Sequence, residues 1–420
     1  MSRVRYVFAR IGPPLFCLAC AAWYLQKNVW RVIPMLQLPS DLQIYLDAGR
    51  SVLHGETPFT VYGYIYPPLF AFFMAPLGPL DYGVARWIWF AVSHACLVGA
   101  AVVMWRALGR DWTAACVVSL VWACGDAAFE VLYMGQIGPL LTLLLAVAYA
   151  YSGWRRESAL GLGIALKLIP AAAAIALVQV RDRRALARMI GVAAVCIIAC
   201  IVVPWLAVLT FVGPQRPPSI PFLGGTPAFL NWSVPPSVLR LMDSPKLGED
   251  IPPNWGPAGT DLPKLDLPAS HARASALAAI VTFGAGVLVF FVVSRGGLSA
   301  RQLPLAMAGL MALGLAACPI GWTHYQVMQY PAVALLLNHA GRLRNWLLVA
   351  ETLLCGACLY PLPVAMLTIY YYSREGGNWS PAAPGTLHFW TSMTPAASLV
   401  LFALLMREVR NTKYPTSEVR

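Results

Sequence analysis

Charge is scarce in this chain. Asp, Glu, Lys and Arg together make up 11% of its 420 residues, against about 25% in an ordinary soluble domain. That scarcity excludes a soluble enzyme and a solvated tail alike. The charge present is mostly positive, net +12, but no basic stripe is interleaved with stacking aromatics, so nucleic acid is excluded as a partner. No repeat of 20–50 residues occurs, which excludes a solenoid. Paired metal-ligand motifs are missing as well. All ten cysteines lie inside or at the edge of apolar segments. Cys355-Gly356-Ala357-Cys358 has redox or metal spacing, yet no ligand partners lie nearby in sequence. Small residues packing between helices account for these thiols.

What the chain has is apolar length. Hydrophobic residues make up 59% of it, and the mean hydropathy is +0.64. Windows of about 20 apolar residues, enough to cross a bilayer, begin near 10, 84, 113, 136, 189, 272, 303, 324, 346 and 390. The expected fold is an all-α polytopic membrane protein with about 10–12 transmembrane helices, forming one domain over residues 1–420. Ala19-Cys20-Ala21 resembles a signal-peptidase site, but the spans that follow suit an uncleaved first helix.

Orientation follows from charge placement. With both termini inside, the inner segments carry 19 Lys and Arg and the much longer outer segments carry 7. The positive-inside rule therefore sets N-in and C-in. One stretch, 158–179, is apolar but broken by Lys167 and Pro170 and flanked on both sides by arginine. It reads as a hairpin of two short helices or a re-entrant loop with both ends cytoplasmic. Lys167 falls on that cytoplasmic hairpin, where a stabilising or lipid-headgroup role outweighs chemistry.

Two outer loops are long, 31–83 and 213–270. Under this topology the notable polar residues collect on their side: Asp41, Asp47, Asp126, Glu130, Gln136, Asn231, Ser233, Arg240, and Thr323 to Gln326. A carboxylate, a histidine, an arginine and amides at a membrane-level cleft suit sugar transfer from a lipid phosphate to a hydroxyl. A base takes the acceptor proton and cationic groups stabilise the departing phosphate. Asp41 carries two readings. As an interfacial carboxylate it is a functional candidate. Ser40-Asp41-Leu42-Gln43 also fits a capping box, with Ser40 as the cap. Asp47, six residues on, faces elsewhere and reads as structural. His324, beside Trp322 and Tyr325, is either a site residue or part of an interfacial aromatic belt.

Several ordered motifs carry a family resemblance. They are Asp41 with Tyr45 and Ala48, Gly55-x-x-Pro58, Tyr66-Pro67-Pro68-Leu69 with Pro76-Leu77, Gly135-Gln136, Gly161-Leu162-Gly163 to Lys167-x-x-Pro170, Asn231-x-Ser233, and His324-Tyr325. In this order the chain resembles glycosyltransferase family 87, bacterial polyprenyl-phosphate-mannose-dependent mannosyltransferases with the GT-C membrane fold. The resemblance implies an inverting enzyme in the cell membrane with an extracytoplasmic active site. Its donor would be a polyprenyl-phosphate-linked sugar and its acceptor a glycolipid or glycan, with no cofactor and no metal. It implies Asp41 as general base, His324 as the group assisting at the donor phosphate or the acceptor, and Tyr45, Tyr66, Gln136, Asn231, Arg240 and Tyr325 around the substrates. Where the family has Asn-Gln-Ser, this chain has Asn231-Trp232-Ser233, and its loop 244–268 has no counterpart. Two other classes compete. A flippase of lipid-linked sugars needs charges at the bilayer midplane and paired broken helices, and a membrane scaffold needs no acids and histidine on one face.

Overall fold

The computed structural model describes residues 3–61, 63, 64, 66–180, 184–192, 194–195, 233–235, 237–238, 269–318, 323–359, 361–363 and 384–412. Among these residues the secondary structure is helical throughout, without a strand. The helices are α1 (Arg3–Leu25), α2 (Leu42–Leu53), α3 (Pro68–Met74), α4 (Tyr82–Ala107), α5 (Trp112–Cys124), α6 (Ala127–Met134), α7 (Gly138–Ala150), α8 (Trp154–Leu166), α9 (Ala171–Ala174), α10 (Ala269–Val293), α11 (Gln302–Ala317), α12 (Tyr330–Arg342), α13 (Trp346–Leu359) and α14 (Pro384–Asn411). The protein is an all-α polytopic membrane protein, as a GT-C-type fold requires.

Burial runs opposite to that of a soluble protein on the outer helices. On α10, Leu277, Ile280, Val281, Leu288 and Val292 are all exposed, as are Leu15, Leu18 and Trp23 on α1. Water does not tolerate apolar faces of that extent, and lipid does. At the centre lies α11, buried on every side except at Pro304 and Gly314 and packed against α7, α9, α10, α12 and α14. A helix apolar all round belongs in such a position. The cysteines pack as small residues do. Cys17 Sγ meets Cys116 Sγ at 3.9 Å between α1 and α5, and Cys355 Sγ donates to the Ala397 carbonyl between α13 and α14.

Among the described residues the full-length spans are fewer than the hydropathy windows, and the window near 189 lies largely outside those residues. Tyr82–Ala107, Arg273–Val293 and Ser392–Asn411 are long and apolar enough to cross alone. The window near 113 is two helices, Trp112–Cys124 and Ala127–Tyr133, bent by 57°. The windows near 136, 303 and 346 are the shorter apolar helices Gly138–Ala150, Gln302–Ala317 and Trp346–Leu359. A 13-residue helix is about 20 Å long, short of the roughly 30 Å hydrocarbon core. Windowed hydropathy runs on through the breaks, which is why it joins them. The window near 324 likewise opens as a 3₁₀ turn, Thr323–Gln329, before α12.

Contacts divide the bundle into two ends. At one, Arg342 pairs with Asp111 at 2.8 Å, His339 with Glu408 at 3.3 Å and Glu351 with Arg407 at 2.6 Å. The Gln302 amide donates to the Val409 carbonyl and the Leu298 amide to the Gln179 carbonyl there. At the other end Lys27, just past α1, pairs with Asp126 at 2.7 Å and donates to the Ala123 and Gly125 carbonyls. Those carbonyls are freed by the α5–α6 bend, so the ammonium satisfies acceptors a continuous helix would have used. Because α1 and α5 run parallel, the start of α1 and the end of α14 both lie at the arginine-rich end.

The stretch 158–179 forms the expected hairpin. Its tip differs from the expectation. Both ends sit at the arginine-rich side, but α8 carries Lys167 through the bundle to the opposite end, against Tyr66. Pro170 has no amide hydrogen and its ring would clash with the Leu166 carbonyl. Lys167 therefore turns extended, at φ −160° and ψ 133°, and the chain re-enters as α9.

Candidate active site

The first long loop, 31–83, supplies the carboxylate. Asp41 begins α2, yet its side chain makes no capping hydrogen bond. The capping box read from the sequence is absent: Ser40 Oγ bonds to Tyr82 and Arg86, and Gln43 bonds to the Asp47 carboxylate at 2.9 Å. Caps are worth about 0.5–2 kcal/mol, and Asp41 collects none of it. Its Oδ2 instead accepts from the Gln136 carboxamide, 95 positions away. Asp47 pairs with Arg50 at 2.6 Å and stays out of this cluster.

Gln136 is placed by the turn ahead of it. Gly135 closes α6 in the left-handed region at φ 67°, and a Cβ there would meet Arg86 Nη1 at 2.4 Å and Leu42 Cβ at 2.9 Å. Only glycine fits both constraints. The Gly135 carbonyl accepts from the Trp89 indole at 2.8 Å, and Gln136 then faces α2. Its Oε1 accepts from Tyr45 and Tyr66, each at 2.8 Å. Tyr66 Oη in turn accepts from Lys167 Nζ at 3.2 Å. Direction along this chain is set by the Gln136 oxygen, which only accepts: the single Tyr66 hydrogen goes to it, so Tyr66 Oη accepts from Lys167. Hydrogens run from Lys167 to Tyr66, from Tyr66 to the Gln136 oxygen, and from the Gln136 nitrogen to Asp41. Burial is the largest influence on both tyrosine hydroxyls and pushes them up, over the opposing hydrogen bond that Tyr66 makes with Tyr45, and keeps them as donors.

Aromatic walls enclose the cation. Lys167, 9% exposed, lies 3.6 Å from the Tyr325 ring centroid and 4.4 Å from that of Tyr66. Desolvated cation–π contacts of this kind contribute about 2 kcal/mol. Tyr64 braces the loop beneath, donating to the Pro67 carbonyl at 2.9 Å and accepting from the Ala71 amide at 2.9 Å. The Tyr-Pro-Pro turn is thus a fixed wall. From the 3₁₀ turn, packed on α6 and α7, come Tyr325 and His324. His324 is 3% exposed. Its Nδ1 lies 3.6 Å from Glu130, and its Nε2 has no partner among the described residues. Ser233 donates to the Cys318 carbonyl at 2.6 Å, which brings the second long loop to the same end.

Burial is the largest influence on Asp41 and raises its pKa; His324, the Gln136 hydrogen bond and Lys167 oppose that, and Glu130 adds to it. The carboxyl is therefore held above the usual range. Its Oδ1 has no hydrogen-bond partner among the described residues. Chemically this is a base with one oxygen held and one oxygen available, beside a buried ammonium and an imidazole.

Of the residues singled out in the sequence, Asp41, Tyr45, Tyr66, Gln136, His324 and Tyr325 come together. Asn231 and Arg240 lie outside the described residues. Lys167, assigned by the sequence to the cytoplasmic side, is in the cluster. The one sequence signal that could have placed it there was its position at the break of a hairpin, which marks a tip as readily as an end. Glu130, gathered with the polar residues of that side in the sequence, lies against His324, whereas Arg86 escaped notice as a member of this site. Among the described residues no three His, Cys, Asp or Glu side chains group as metal ligands, and Asp126 is engaged by Lys27.

Residues 64–219 match the model of glycosyltransferase family 87. The family likeness that the motifs carried is thus found independently, over a stretch that includes Tyr66, Gln136 and Lys167. Asp41, Tyr45, His324 and Tyr325 lie outside that stretch and reach it through the fold. The chain is also 30% identical, over 165 residues, to a polyprenol-phosphate-mannose-dependent alpha-(1-2)-phosphatidylinositol pentamannoside mannosyltransferase of Mycobacterium tuberculosis. That alignment covers 35% of this chain and 38% of the relative. No solved structure matches the chain.

Proposed function

We propose that the protein is an inverting membrane glycosyltransferase. It moves a hexose, taken to be mannose, from a polyprenyl-phosphate sugar to a hydroxyl of a lipid or glycan, with its active site on the extracytoplasmic face of the cell membrane. The observation that carries this reading is the Asp41 carboxylate held through one oxygen by Gln136 beside Lys167 and His324. The choice of donor rests on the family match and on the activity for which the mycobacterial relative is named.

In the proposed step, Asp41 Oδ1 takes the proton of the acceptor hydroxyl. The oxygen attacks the anomeric carbon, and the bond from that carbon to the phosphate oxygen breaks. The electron pair leaves with the polyprenyl phosphate, whose added charge is met by Lys167 and His324. Displacement from the face opposite the leaving group inverts the anomeric centre. Tyr66, Tyr325 and Tyr45 wall the sugar site and keep water out. A group held ready for charge that develops only in the transition state costs no reorganisation. The flippase reading loses support, because neither charge it would use lies midway through the bundle: Lys167 sits at one end against Tyr66 and Glu351 at the other with Arg407.

The test uses purified protein with radiolabelled polyprenyl-phosphate mannose and a phosphatidylinositol mannoside acceptor. Label should move to the acceptor with wild type and fall by about 10² with Asp41→Asn, a scale usual for loss of a general base. No transfer by wild type, with label carried across vesicle membranes instead, would overturn the enzyme reading.

A further inference from the structure

Arg86 is among the largest wholly buried side chains, 1% exposed, and the proposed reaction makes no use of it. It sits one turn into α4, between the two segments that build the base. Its Nη1 donates to Ser40 Oγ at 2.5 Å, and its Nη2 donates to the Tyr133 carbonyl. Ser40 precedes Asp41, and Tyr133 stands three residues before Gln136. We propose that Arg86 is a positioning residue that sets the register between Asp41 and Gln136, an inference that rests on the transferase reading above.

The directions of the hydrogen bonds support this. A guanidinium only donates, so Ser40 Oγ accepts from Arg86. Its own hydrogen then goes to Tyr82 Oη at 3.0 Å, and the Tyr82 hydrogen goes to the Leu38 carbonyl at 3.0 Å. On the other side Arg86 takes the Tyr133 carbonyl while Trp89 takes that of Gly135. Tyr82, Arg86 and Trp89 are spaced i, i+4 and i+7, one stripe of α4. That stripe holds residues 38–40 through its first turns and residues 133–135 through the next. Gly135 completes the fit, since any Cβ there would strike Arg86 Nη1. A buried charge is expensive unless its donors are used, and here two of them tie together the flanks of the base and of its partner. Both of these donors are spent on protein acceptors, Ser40 Oγ and the Tyr133 carbonyl, so Arg86 is assigned no substrate contact. A lysine at this position would reach one acceptor and not both.

The test measures kcat and both KM values for Arg86→Lys, Ser40→Ala and the double variant, each purified and monodisperse. Misplacing a reacting group by about 1 Å costs up to ~10² in rate. Arg86→Lys is therefore expected to lower kcat by ten- to a hundredfold with both KM values within twofold of wild type. Ser40→Ala should do the same more weakly, and the double variant should fall no further than Arg86→Lys alone. Full kcat in Arg86→Lys would show that charge alone suffices and would sink the proposal, as would multiplicative losses. Thermal melts of the same four proteins separate this from failure of the transferase reading. If wild type transfers no sugar, non-additive melting shifts still support the Arg86–Ser40 tie, whereas additive shifts remove it.

Discussion

Lys167 Nζ donates to the hydroxyl of Tyr66 at 3.2 Å, across 101 positions of sequence. That bond joins the tip of a membrane hairpin to a proline-fixed turn in the first long loop. It also begins the chain of hydrogen bonds that ends at Asp41. A cation and a carboxylate are thereby held apart at opposite ends of a polar relay instead of neutralising each other in a direct ion pair.

Shortening that relay should slow transfer. Tyr66→Phe leaves the Lys167 ammonium and one lone pair of Gln136 without their partner. Leaving a buried group unsatisfied costs about 1–3 kcal/mol. The expected result is a kcat loss of about ten- to a hundredfold and a melting point a few degrees lower. Lys167→Met should lose more, with a raised KM for the donor, because it removes the cation itself. Wild-type donor KM in Lys167→Met would remove the ammonium from the phosphate site.

Gln136 should tolerate neither an apolar nor an acidic substitute. Gln136→Leu cuts every link between Asp41 and the tyrosines. Gln136→Glu keeps acceptors for Tyr45 and Tyr66 but sets a carboxyl against Asp41. Like charges disfavour ionisation, so the acid limb of the rate profile should move to higher pH in Gln136→Glu. A profile identical to wild type would show that Gln136 does not reach Asp41 in the working enzyme.

The pH dependence has a definite sign. Burial holds the Asp41 carboxyl above its ordinary value against the opposing pull of His324, Gln136 and Lys167, with Glu130 acting in the same direction as burial. The base must be ionised to work, so activity should rise with pH along a limb centred above the usual carboxylate range. Stability runs the other way. A group whose pKa is raised on folding contributes stability that is complete below its unfolded value and is lost as pH rises through the folded one. Asp41→Asn should therefore melt higher than wild type at neutral pH, with the gap closing on acidification. An acid limb at the ordinary carboxylate value, together with equal melting at pH 7, would contradict the placement.

Sidedness can be read by labelling. His54 and Glu56 are exposed on the loop that carries Asp41, and Arg344 is exposed at the arginine-rich end. His54→Cys or Glu56→Cys should react with an impermeant maleimide in spheroplasts, and Arg344→Cys only after lysis. Ser51 is buried and unsuited to the purpose. The reverse pattern would turn the protein over in the membrane and place the site in the cytoplasm.

Transfer is also expected to survive excess EDTA. In the proposed step the cations that meet the leaving phosphate are side chains, Lys167 and His324. Activity lost to chelation and restored by Mg²⁺ or Mn²⁺ would point to a metal held by Asp126 and Glu130, after release of Asp126 from Lys27.

The sequence by itself determined the material of this protein. Apolar runs with arginine at one set of ends and acids at the other require a helical bundle in lipid, because only closed hydrogen-bonding backbones survive there. Motif order also picked out Asp41, Gln136, Tyr45, Tyr66 and Tyr325, which the fold brings together. Tertiary structure decided which polar groups meet. Charge counting followed the two ends of the 158–179 hairpin and assigned Lys167 to the arginine side, but the reach of a broken helix depends on where it bends. Capping rules placed Ser40 and Gln43 on the backbone of α2, but their side chains bond elsewhere, Ser40 to Arg86 and Tyr82 on α4 and Gln43 to Asp47 one turn further along α2. Glu130 beside His324 and Arg86 beneath Asp41 are contacts between residues far apart in the chain. Local spacing carries no record of such pairs, because the packing that desolvates them exists only after the helices have assembled.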